Sequence, residues 1–275
     1  MRNTESMNDH CVERTRDGSV AVLTLSAPQA RNAFDDAMIL ELVAALRDCD
    51  ADAEVGCIVM TGDAAGKAFC AGGNLRDMAL KSSPMFSGAA IDTHAAYRRL
   101  VQQIPLAFDE IETPVIAAVN GAAIGAGCDI AAMCDIRLAS DHARFASSFV
   151  RVGLISGDGG AWYLPRAIGW ARAIEMSLTG DMIDAETALE FGLVSKIIAA
   201  DRLMEEAISM AARIASQPRH AVRLTKRLFR QSQGISLRQS LDAAAALQSI
   251  VQQTDDHRES VMALLEIRPA RLTGK

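Results

Sequence analysis

The sequence predicts an α/β fold, in which a core with parallel strands precedes a helical C-terminal third. Strand-like apolar runs alternate with stretches of helical periodicity over the first two thirds of the 275 residues. Three glycine-rich turns follow strand-like runs, and from Asp201 onward the pattern is helical with few strand signals. This alternation favours parallel pairing, because a crossover between parallel strands has room for a helix.

The first 111 residues predict two strands and two long helices. SVAVLTLS at 19–26 alternates in polarity and reads as a strand, whereas 35–48 has apolar residues at helical spacing and acids where a helix dipole favours them. GCIVMTG at 56–62 is typical of a buried strand. A polar segment at 81–90, expected to be mobile, leads into one predicted helix over 91–111.

The next hundred residues continue the alternation. PVIAAVNG at 114–121 and DIRLAS at 135–140 predict strands, and 145–152 is a candidate for another. GWARAIEMSLTG at 169–180 predicts a helix, and GLVSKII at 192–198 a short strand. These elements complete the expected α/β core.

The chain divides into three predicted regions. Residues 1–11 form a loose N-terminal tail, 12–200 the α/β core and 201–275 a helical C-terminal region. The N-terminus is polar and lacks the apolar centre of a signal peptide. No uncharged apolar stretch approaches the roughly 18 residues that a membrane span needs. We therefore expect no membrane partner.

Composition narrows the partners and the compartment. The 28 Lys and Arg against 34 Asp and Glu give a formal net charge of −6, so nucleic acid is not expected as a partner. The six cysteines show no CxxC pair or zinc spacing, which predicts buried free thiols and no metal site. Free thiols favour a reducing, cytoplasmic compartment.

The run GAAIGAGCDIAAMCD, residues 121–135, is the strongest local signal for a site. If a helix begins near Gly125 or Ala126, its first N–H groups have no partner within the helix and can bind developing negative charge. Asp129 then follows one turn later, and a carboxylate beside such donors suits chemistry next to a carbonyl. The alternative is a close-packing turn in which Asp129 only complements the helix dipole.

Other common motifs are missing from the sequence. None of the three glycine-rich turns has GxGxxG spacing, so a dinucleotide site is not supported. The sequence also contains no GxxxxGK[ST] phosphate loop and no GxSxG nucleophile turn. The leading hypothesis is therefore chemistry next to a carbonyl at the glycine-rich run of residues 121–135.

Several segments in series resemble the crotonase family of enoyl-CoA hydratases and isomerases. They are KAFCAGGNLRDM, PVIAAVNGAAIGAGCDIAAMCDIRLAS, GLISGDGGAWYLPRAIG and LTGDMIDAETALEFGLVSKII, and the likeness covers nearly the whole chain. The resemblance implies a crotonase-like spiral of ββα units with a C-terminal helical trimerisation region. It also implies a homotrimer or hexamer that binds an acyl-CoA thioester and needs no cofactor other than the coenzyme A of that substrate.

The resemblance assigns roles to individual positions. The amides of Gly73 and Ala126 correspond to an oxyanion hole for the thioester carbonyl. The backbone of Ala33, Ala71 and Gly72 corresponds to the coenzyme A path. The bare backbone of the glycine-rich run then leaves space for the thioester.

Asp129 and Asp158 are the expected catalytic residues. Asp129 stands where hydratases carry the first of two catalytic glutamates, but the second position holds Phe149. Asp158 is the obvious replacement, with the alternative that it only caps the following helix. A proton-donating aspartate needs a raised pKa, and we expect Trp162 and Tyr163 to supply an apolar wall beside Asp158.

A basic amphipathic stretch, RHAVRLTKRLFR at 219–230, leaves three interpretations open. It is a solvated helix face, a contact for coenzyme A phosphates, or, as in one branch of the family, an RNA-binding surface. The net acidity of the chain weighs against RNA.

We therefore expect an enzyme that acts on an enoyl-CoA thioester by aspartate acid–base chemistry. Hydration requires one group to activate water and another to protonate Cα, whereas isomerisation requires only removal and return of a proton. The alternatives are a double-bond isomerase without hydratase activity and a catalytically weak acyl-CoA-binding protein.

Overall fold

A computed structural model describes residues 11–275. The predicted loose tail, residues 1–11, lies outside this range except for Cys11, whose N–H donates to the Glu41 carboxylate at 2.8 Å. The described strands are β1 (Val12–Asp17), β2 (Val20–Leu25), β3 (Cys57–Gly62), β4 (Ala68–Cys70), β5 (Val115–Val119), β6 (Ala122–Ile124), β7 (Ile136–Ser140), β8 (Arg144–Ala146), β9 (Ile183–Asp184) and β10 (Lys196–Ile198).

Helices surround these strands and fill the C-terminal region, where the predicted helical pattern is confirmed. The described helices are α1 (Asp36–Ala51), α2 (Leu75–Leu80), α3 (Ala90–Arg99), α4 (Gln103–Glu110), α5 (Ala126–Met133), α6 (Gly160–Ile168), α7 (Trp170–Thr179), α8 (Ala185–Glu190), α9 (Leu203–Ala215), α10 (Arg219–Ser232), α11 (Leu237–Val251) and α12 (Asp255–Leu265).

The expected parallel core is confirmed as a six-stranded sheet in the order β1-β2-β3-β5-β7-β10. All neighbours are parallel except β1 and β2, which form an antiparallel hairpin. One face of the sheet packs against apolar residues of α9, and the other faces the larger core beneath α1 and the second sheet. The buried runs predicted for β3 and β5 are fully enclosed, as strands covered on both faces should be.

A second sheet, ordered β4-β6-β8-β9, holds the features on which the site depends. β4 and β6 run parallel, with Ala68 opposite Ala122 and Cys70 opposite Ala123. Because the carboxyl ends of parallel strands meet at one edge, the loops that follow β4 and β6 lie side by side. These loops contain two of the glycine-rich turns.

The structure corrects several predicted elements. The single helix over 91–111 is two helices, α3 and α4, separated where Leu100 leaves helical geometry with φ −112° and ψ −101°. The candidate strand over 145–152 is only the short β8 followed by a 3₁₀ turn, Phe149–Val152. The segment expected to be mobile, 81–90, packs into the molecule and buries Ser83 and Met85.

The basic stretch at 219–230 is α10, and the solvated-face interpretation is wrong for two of its cations. The Arg223 and Lys226 side chains are only 15% and 7% exposed. Each meets carboxylates of the core, with Arg223 to Asp50 at 2.9 Å and Lys226 to Asp135 at 2.8 Å. These charges hold α10 against the core.

Three further findings concern the described part of the chain, residues 11–275. All six cysteines are free, five of them buried and Cys11 partly so, as the sequence predicts. No helix there is long and apolar enough to cross a membrane. No three His, Cys, Asp or Glu side chains gather there in a way that would hold a metal ion.

Candidate active site

The site begins where the loops after β4 and β6 meet. Gly72 lies so close to the second loop that an added Cβ would stand 2.7 Å from the Ile124 carbonyl oxygen and 3.6 Å from the Ala126 nitrogen. Gly72 also has a φ of +92°, which favours glycine. The two loops therefore approach each other through bare backbone.

Two backbone N–H groups are free at this meeting point. Gly73 forms an isolated parallel bridge with Phe34, in which the hydrogen bonds run from Phe34 to Gly72 and from Asn74 to Phe34. This pattern does not use the Gly73 N–H. Ala126 is the first residue of α5, and within residues 11–275 neither its N–H nor that of Gly73 has a backbone acceptor outside regular helices and strands.

The start of α5 explains why the run at 121–135 is rich in glycine. Gly125, the N-cap, has φ +53° and ψ −120°, a conformation that residues with a Cβ rarely adopt. An added Cβ on Gly127 would stand 2.1 Å from the Cys70 carbonyl oxygen. Both glycines are required if α5 is to begin against β4 with its first N–H groups free.

The residues that the resemblance assigns to the coenzyme A path lie together. The Ala71 N–H donates to the Arg31 carbonyl at 3.2 Å, and the Phe34 N–H donates to the Gly72 carbonyl at 2.7 Å. Ala33 lies between these two contacts and is buried. The loop before α1 is thus hydrogen-bonded along the loop that ends at Gly73.

A cavity adjoins the two free amides. It is lined by Gly73 and Ala126, by Asp158, and by aromatic and aliphatic side chains from α1, α3 and the segment between α2 and α3. Phe149, which the resemblance matches to the second hydratase glutamate, also lines it. Its other aromatic walls are Phe34, Phe86 and Tyr97, and its other acids are Asp35, Asp36 and Asp77.

Asp158 faces this cavity from the loop before α6, although the residue is only 6% exposed. Asp158 is not the N-cap of α6, because Gly159 holds that position and makes no side-chain cap hydrogen bond, although the N–H of Gly160 favours the charged form of Asp158. The loop is held in place by Gln102, whose side-chain amide donates to the Gly157 carbonyl at 3.0 Å.

The expected wall of Trp162 and Tyr163 is also wrong. Neither residue lines the cavity, and Trp162 is 56% exposed with the Arg166 guanidinium over its ring. Both lie on α6, which turns them away from the cavity that Asp158 faces. Tyr97 and Phe149 line the cavity with Asp158 instead.

Asp129 lies behind Asp158 and is wholly buried, at 0% exposure, so it is not among the residues that line the cavity. Its Oδ2 accepts a hydrogen bond of 2.7 Å from the Ser156 hydroxyl, which also lies 3.5 Å from Asp158 Oδ1. Among residues 11–275, no donor is hydrogen-bonded to Asp129 Oδ1. A Cβ added to Gly160 would stand 2.0 Å from the Asp129 carboxylate.

The two carboxyl groups perturb each other. Burial, followed by the charge of Asp158, raises the pKa of Asp129 well above its ordinary value. Burial also raises the pKa of Asp158, and the hydrogen bond from Asp129 partly opposes this rise. Two like charges in one buried site cannot both form readily, so the pair retains one proton over a wide pH range.

This arrangement can stabilise negative charge and move a proton at neighbouring points. The free amides can donate to an oxyanion, and a pair that holds one proton contains both an acid and a base. The neighbouring Cys70 thiol is fully buried, which raises its pKa to about 12 and excludes it as a thiolate nucleophile.

Two residues of the site have no clear signal in the sequence. Ser156 is an isolated serine in a loop, and Gly160 resembles any glycine near a helix start. Their importance comes from contact with Asp129, which lies about thirty residues earlier in the chain and on another helix. The only hint that the sequence offers is that both residues lie in the glycine-rich turn that contains Asp158.

Comparisons with known proteins agree with this fold. The model of the enoyl-CoA hydratase/isomerase family matches residues 15–275. The chain is 37% identical to the mitochondrial enoyl-CoA hydratase of Pongo abelii over 94% of this chain and 85% of that protein. It is 34% identical to the 1,2-epoxyphenylacetyl-CoA isomerase of Escherichia coli (strain K12), over 93% and 95% of the two chains.

Solved structures support the same fold. The crystal structure of an enoyl-CoA hydratase from Mycobacterium smegmatis superimposes with a TM-score of 0.87 at 32% identity, covering 96% of this chain and 99% of that one. The mixed α/β core and the C-terminal helices therefore form a crotonase fold. The chain belongs to the enoyl-CoA hydratase/isomerase family.

Proposed function

We propose that this protein is an enoyl-CoA isomerase in which the buried Asp129–Asp158 pair moves a proton along the acyl chain. The observation that carries the proposal is that Asp158 of this pair lines the same cavity as the free Gly73 and Ala126 amides, together with Phe149, which the family resemblance matches to the second hydratase glutamate. The isomerase, an alternative in the sequence analysis, thereby becomes the favoured activity.

The thioester binds with its carbonyl oxygen between the Gly73 and Ala126 N–H groups. Asp158, which lines the cavity, removes a proton from C2 of a 3-enoyl thioester as a carboxylate. The resulting negative charge spreads over the carbonyl oxygen and C4, and the two amides stabilise it. Delivery of a proton from the pair to C4 gives the conjugated 2-enoyl thioester, so one proton enters the pair and one leaves it.

The other proposed roles follow from this pose. The backbone of Ala33, Ala71 and Gly72 lines the path of coenzyme A, whose only role is as part of the substrate. We further propose that the protein works as a trimer or hexamer in the cytoplasm. Exposed apolar side chains on α6, α7, α11 and α12, among them Trp170 and Leu264, support an assembly between copies.

A second candidate activity is hydration of the 2-enoyl thioester. It is supported by the presence of two carboxyl groups, since one can activate water while the other protonates Cα. The apolar ring of Phe149 beside the amides argues against it, because a phenyl ring cannot hold a water molecule by hydrogen bonds.

The test uses trans-3-hexenoyl-CoA and crotonyl-CoA and follows the absorbance of the conjugated thioester. We expect absorbance to rise with the first substrate and to remain constant with the second. Asp158→Asn and Asp129→Asn should each slow the rise by at least about 100-fold. Asp181→Asn, which changes an exposed aspartate paired with Arg151, is the matched control.

Other outcomes would overturn the proposal in distinguishable ways. Rapid loss of crotonyl-CoA absorbance that depends on both aspartates would make the protein a hydratase. Tight binding of both thioesters without turnover would leave an acyl-CoA-binding protein. Isomerisation that survives both Asn substitutions would separate the activity from the buried pair.

A further inference from the structure

Ser156 makes a contact that the mechanism has not used. It lies in the loop between the 3₁₀ turn Phe149–Val152 and α6, two residues before Asp158. Its hydroxyl donates to Asp129 Oδ2 at 2.7 Å and stands 3.5 Å from Asp158 Oδ1. One hydroxyl therefore touches one carboxyl of the pair and closely approaches the other.

The surroundings of the pair make this hydroxyl important. Within residues 11–275, no Lys, Arg or His forms an ion pair with Asp129 or Asp158, and Asp129 is fully buried. The titratable groups that face the pair are Tyr97, Cys70 and Cys128, and burial raises the pKa of all three. The cavity that Asp158 faces is also lined by the acids Asp35, Asp36 and Asp77. Neutral or acidic groups of this kind cannot balance a carboxylate charge.

The donors that do reach the pair are few. The backbone N–H of Gly160 favours the charged form of both carboxyls, and the Ser156 hydroxyl supplies a side-chain donor to Asp129. A hydrogen bond to a charged group in a buried site is stronger than one between neutral groups. The pair can hold one negative charge only to the extent that such donors stabilise it.

We propose that Ser156 is a positioning residue, whose hydroxyl fixes the Asp129 carboxyl beside Asp158 and stabilises the pair with one proton and one charge. The inference deepens the proposed function, since the singly ionised pair is the form that contains both the base and the acid. Ser156 does not line the cavity, so it acts through Asp129 and not on the substrate.

Removal of the hydroxyl should make the first ionisation of the pair harder. Because the single charge belongs to the coupled pair and Ser156 reaches both carboxyls, loss of its hydroxyl corresponds to a rise of about one pH unit or more in the midpoint of that ionisation. In Ser156→Ala, the acid limb of the profile of kcat against pH should therefore move to higher pH. KM should stay near its original value, because the thioester does not contact Ser156.

The experiment compares the original protein with Ser156→Ala and Ser156→Thr, using trans-3-hexenoyl-CoA as the probe. We expect kcat at pH 6 to fall about tenfold or more in Ser156→Ala. Threonine retains a hydroxyl, so Ser156→Thr should restore the original acid limb. Ser148→Ala is the matched control, because no hydrogen bond joins the Ser148 hydroxyl to either carboxyl in the described structure.

A second readout does not depend on turnover. Carboxyl-carbon NMR of protein labelled with ¹³C-aspartate can follow the titration of the pair, with Asp129→Asn and Asp158→Asn used for assignment. We expect the first midpoint of the pair to rise in Ser156→Ala and to return in Ser156→Thr. This readout keeps the two proposals separable, because it works even if the protein turns over no thioester.

The two measurements can overturn the role of Ser156 in two ways. Unchanged midpoints and an unchanged kcat profile in Ser156→Ala would overturn the role of Ser156. A shift that threonine fails to restore would also overturn it, since the hydroxyl would not be the cause. Absence of isomerisation in the original protein, together with a shifted NMR midpoint, would refute the proposed function and leave the role of Ser156 intact.

Discussion

Helix α10 and the site formed by Asp129 and Asp158 both remove ionisable side chains from water, but they do so in opposite ways. On α10, Arg223 and Lys226 each meet carboxylates of the core at 2.8–2.9 Å. In the site, Asp129 and Asp158 meet each other, and their donors are a serine hydroxyl and backbone N–H groups. Helix α10 pairs opposite charges, whereas the site buries two acidic groups beside each other.

This difference distinguishes charges that stabilise the fold from charges that are suited to chemistry. A buried pair of opposite charges loses hydration but regains much of it as attraction, so both groups keep their charged forms. A buried pair of acidic groups gains no such attraction, so burial and the charge of one carboxyl oppose ionisation of the other and raise its pKa. A perturbed carboxyl pair beside a cavity is for this reason a better functional signal than the more numerous cations of α10.

The largest effect is expected for Gly160→Ala. The new Cβ would stand 2.0 Å from the Asp129 carboxylate, so the carboxyl must move away from Asp158 and Ser156. A displacement of about 1 Å at a reacting group costs roughly 100-fold in rate, and we expect at least that loss in kcat for trans-3-hexenoyl-CoA. Steady-state kinetics on the folded variant measure it.

The matched control for this change is Gly234→Ala. An added Cβ at Gly234 meets nothing within 4 Å. We expect this variant to keep the original kcat and KM. If Gly160→Ala also kept them, the position of the Asp129 carboxyl would not matter for turnover.

The next largest effect is a loss of stability in Lys226→Met. The Lys226 side chain is 7% exposed, and its ammonium donates to Asp135 and to the Thr113 carbonyl, both at 2.8 Å. We expect the free energy of unfolding to fall by about 2 kcal/mol, less than for a fully buried pair, because Asp135 is 31% exposed. Urea unfolding measures the loss, and unchanged stability would contradict the paired-charge account of α10.

The smallest effect is expected for the same substitution at an exposed pair. Lys196 contacts Glu206 at 3.1 Å, but more than half of its side chain is in water. Exposed ion pairs contribute little because water and salt screen them. The unfolding free energy of Lys196→Met, measured in urea, should therefore match that of the original protein. A loss as large as that of Lys226→Met would show that burial does not explain the stability that Lys226 contributes.

The main sheet could be predicted from the sequence because its buried strands are long and rich in Val and Ile. Three strands of the second sheet, β4, β6 and β9, were not predicted, since two or three residues are too few to show alternation. β1 was missed for another reason. Its sequence, VERTRD, is polar because it forms the edge of the sheet and is largely exposed.

Part of the site was equally predictable. The start of α5 at Ala126 follows from the glycine-rich run, because the need for free N–H groups has a direct signature in the sequence. Contacts between distant loops have no such signature. The approach of Ser156 and Gly160 to Asp129, and the inward turn of Phe149 and Tyr97, depend on how α5, α6 and α3 pack.

The measurement that most directly tests the like-charge account is the unfolding free energy of Asp129→Asn compared with the original protein across pH. Burial raises the folded pKa of Asp129, so between pH 4 and that pKa the folded state binds more protons than the unfolded state. The original protein should therefore lose stability as pH rises through this window, because the buried pair resists its second ionisation.

Asparagine cannot ionise, so Asp129→Asn should escape this loss. We expect the variant to be at least about 1 kcal/mol more stable than the original protein at pH 8, with the advantage shrinking toward pH 4. Asp181→Asn, which changes an exposed carboxylate, should show no such trend. A variant that is equally stable at all pH values, or less stable at pH 8, would contradict the claim that Asp129 and Asp158 are confined like charges.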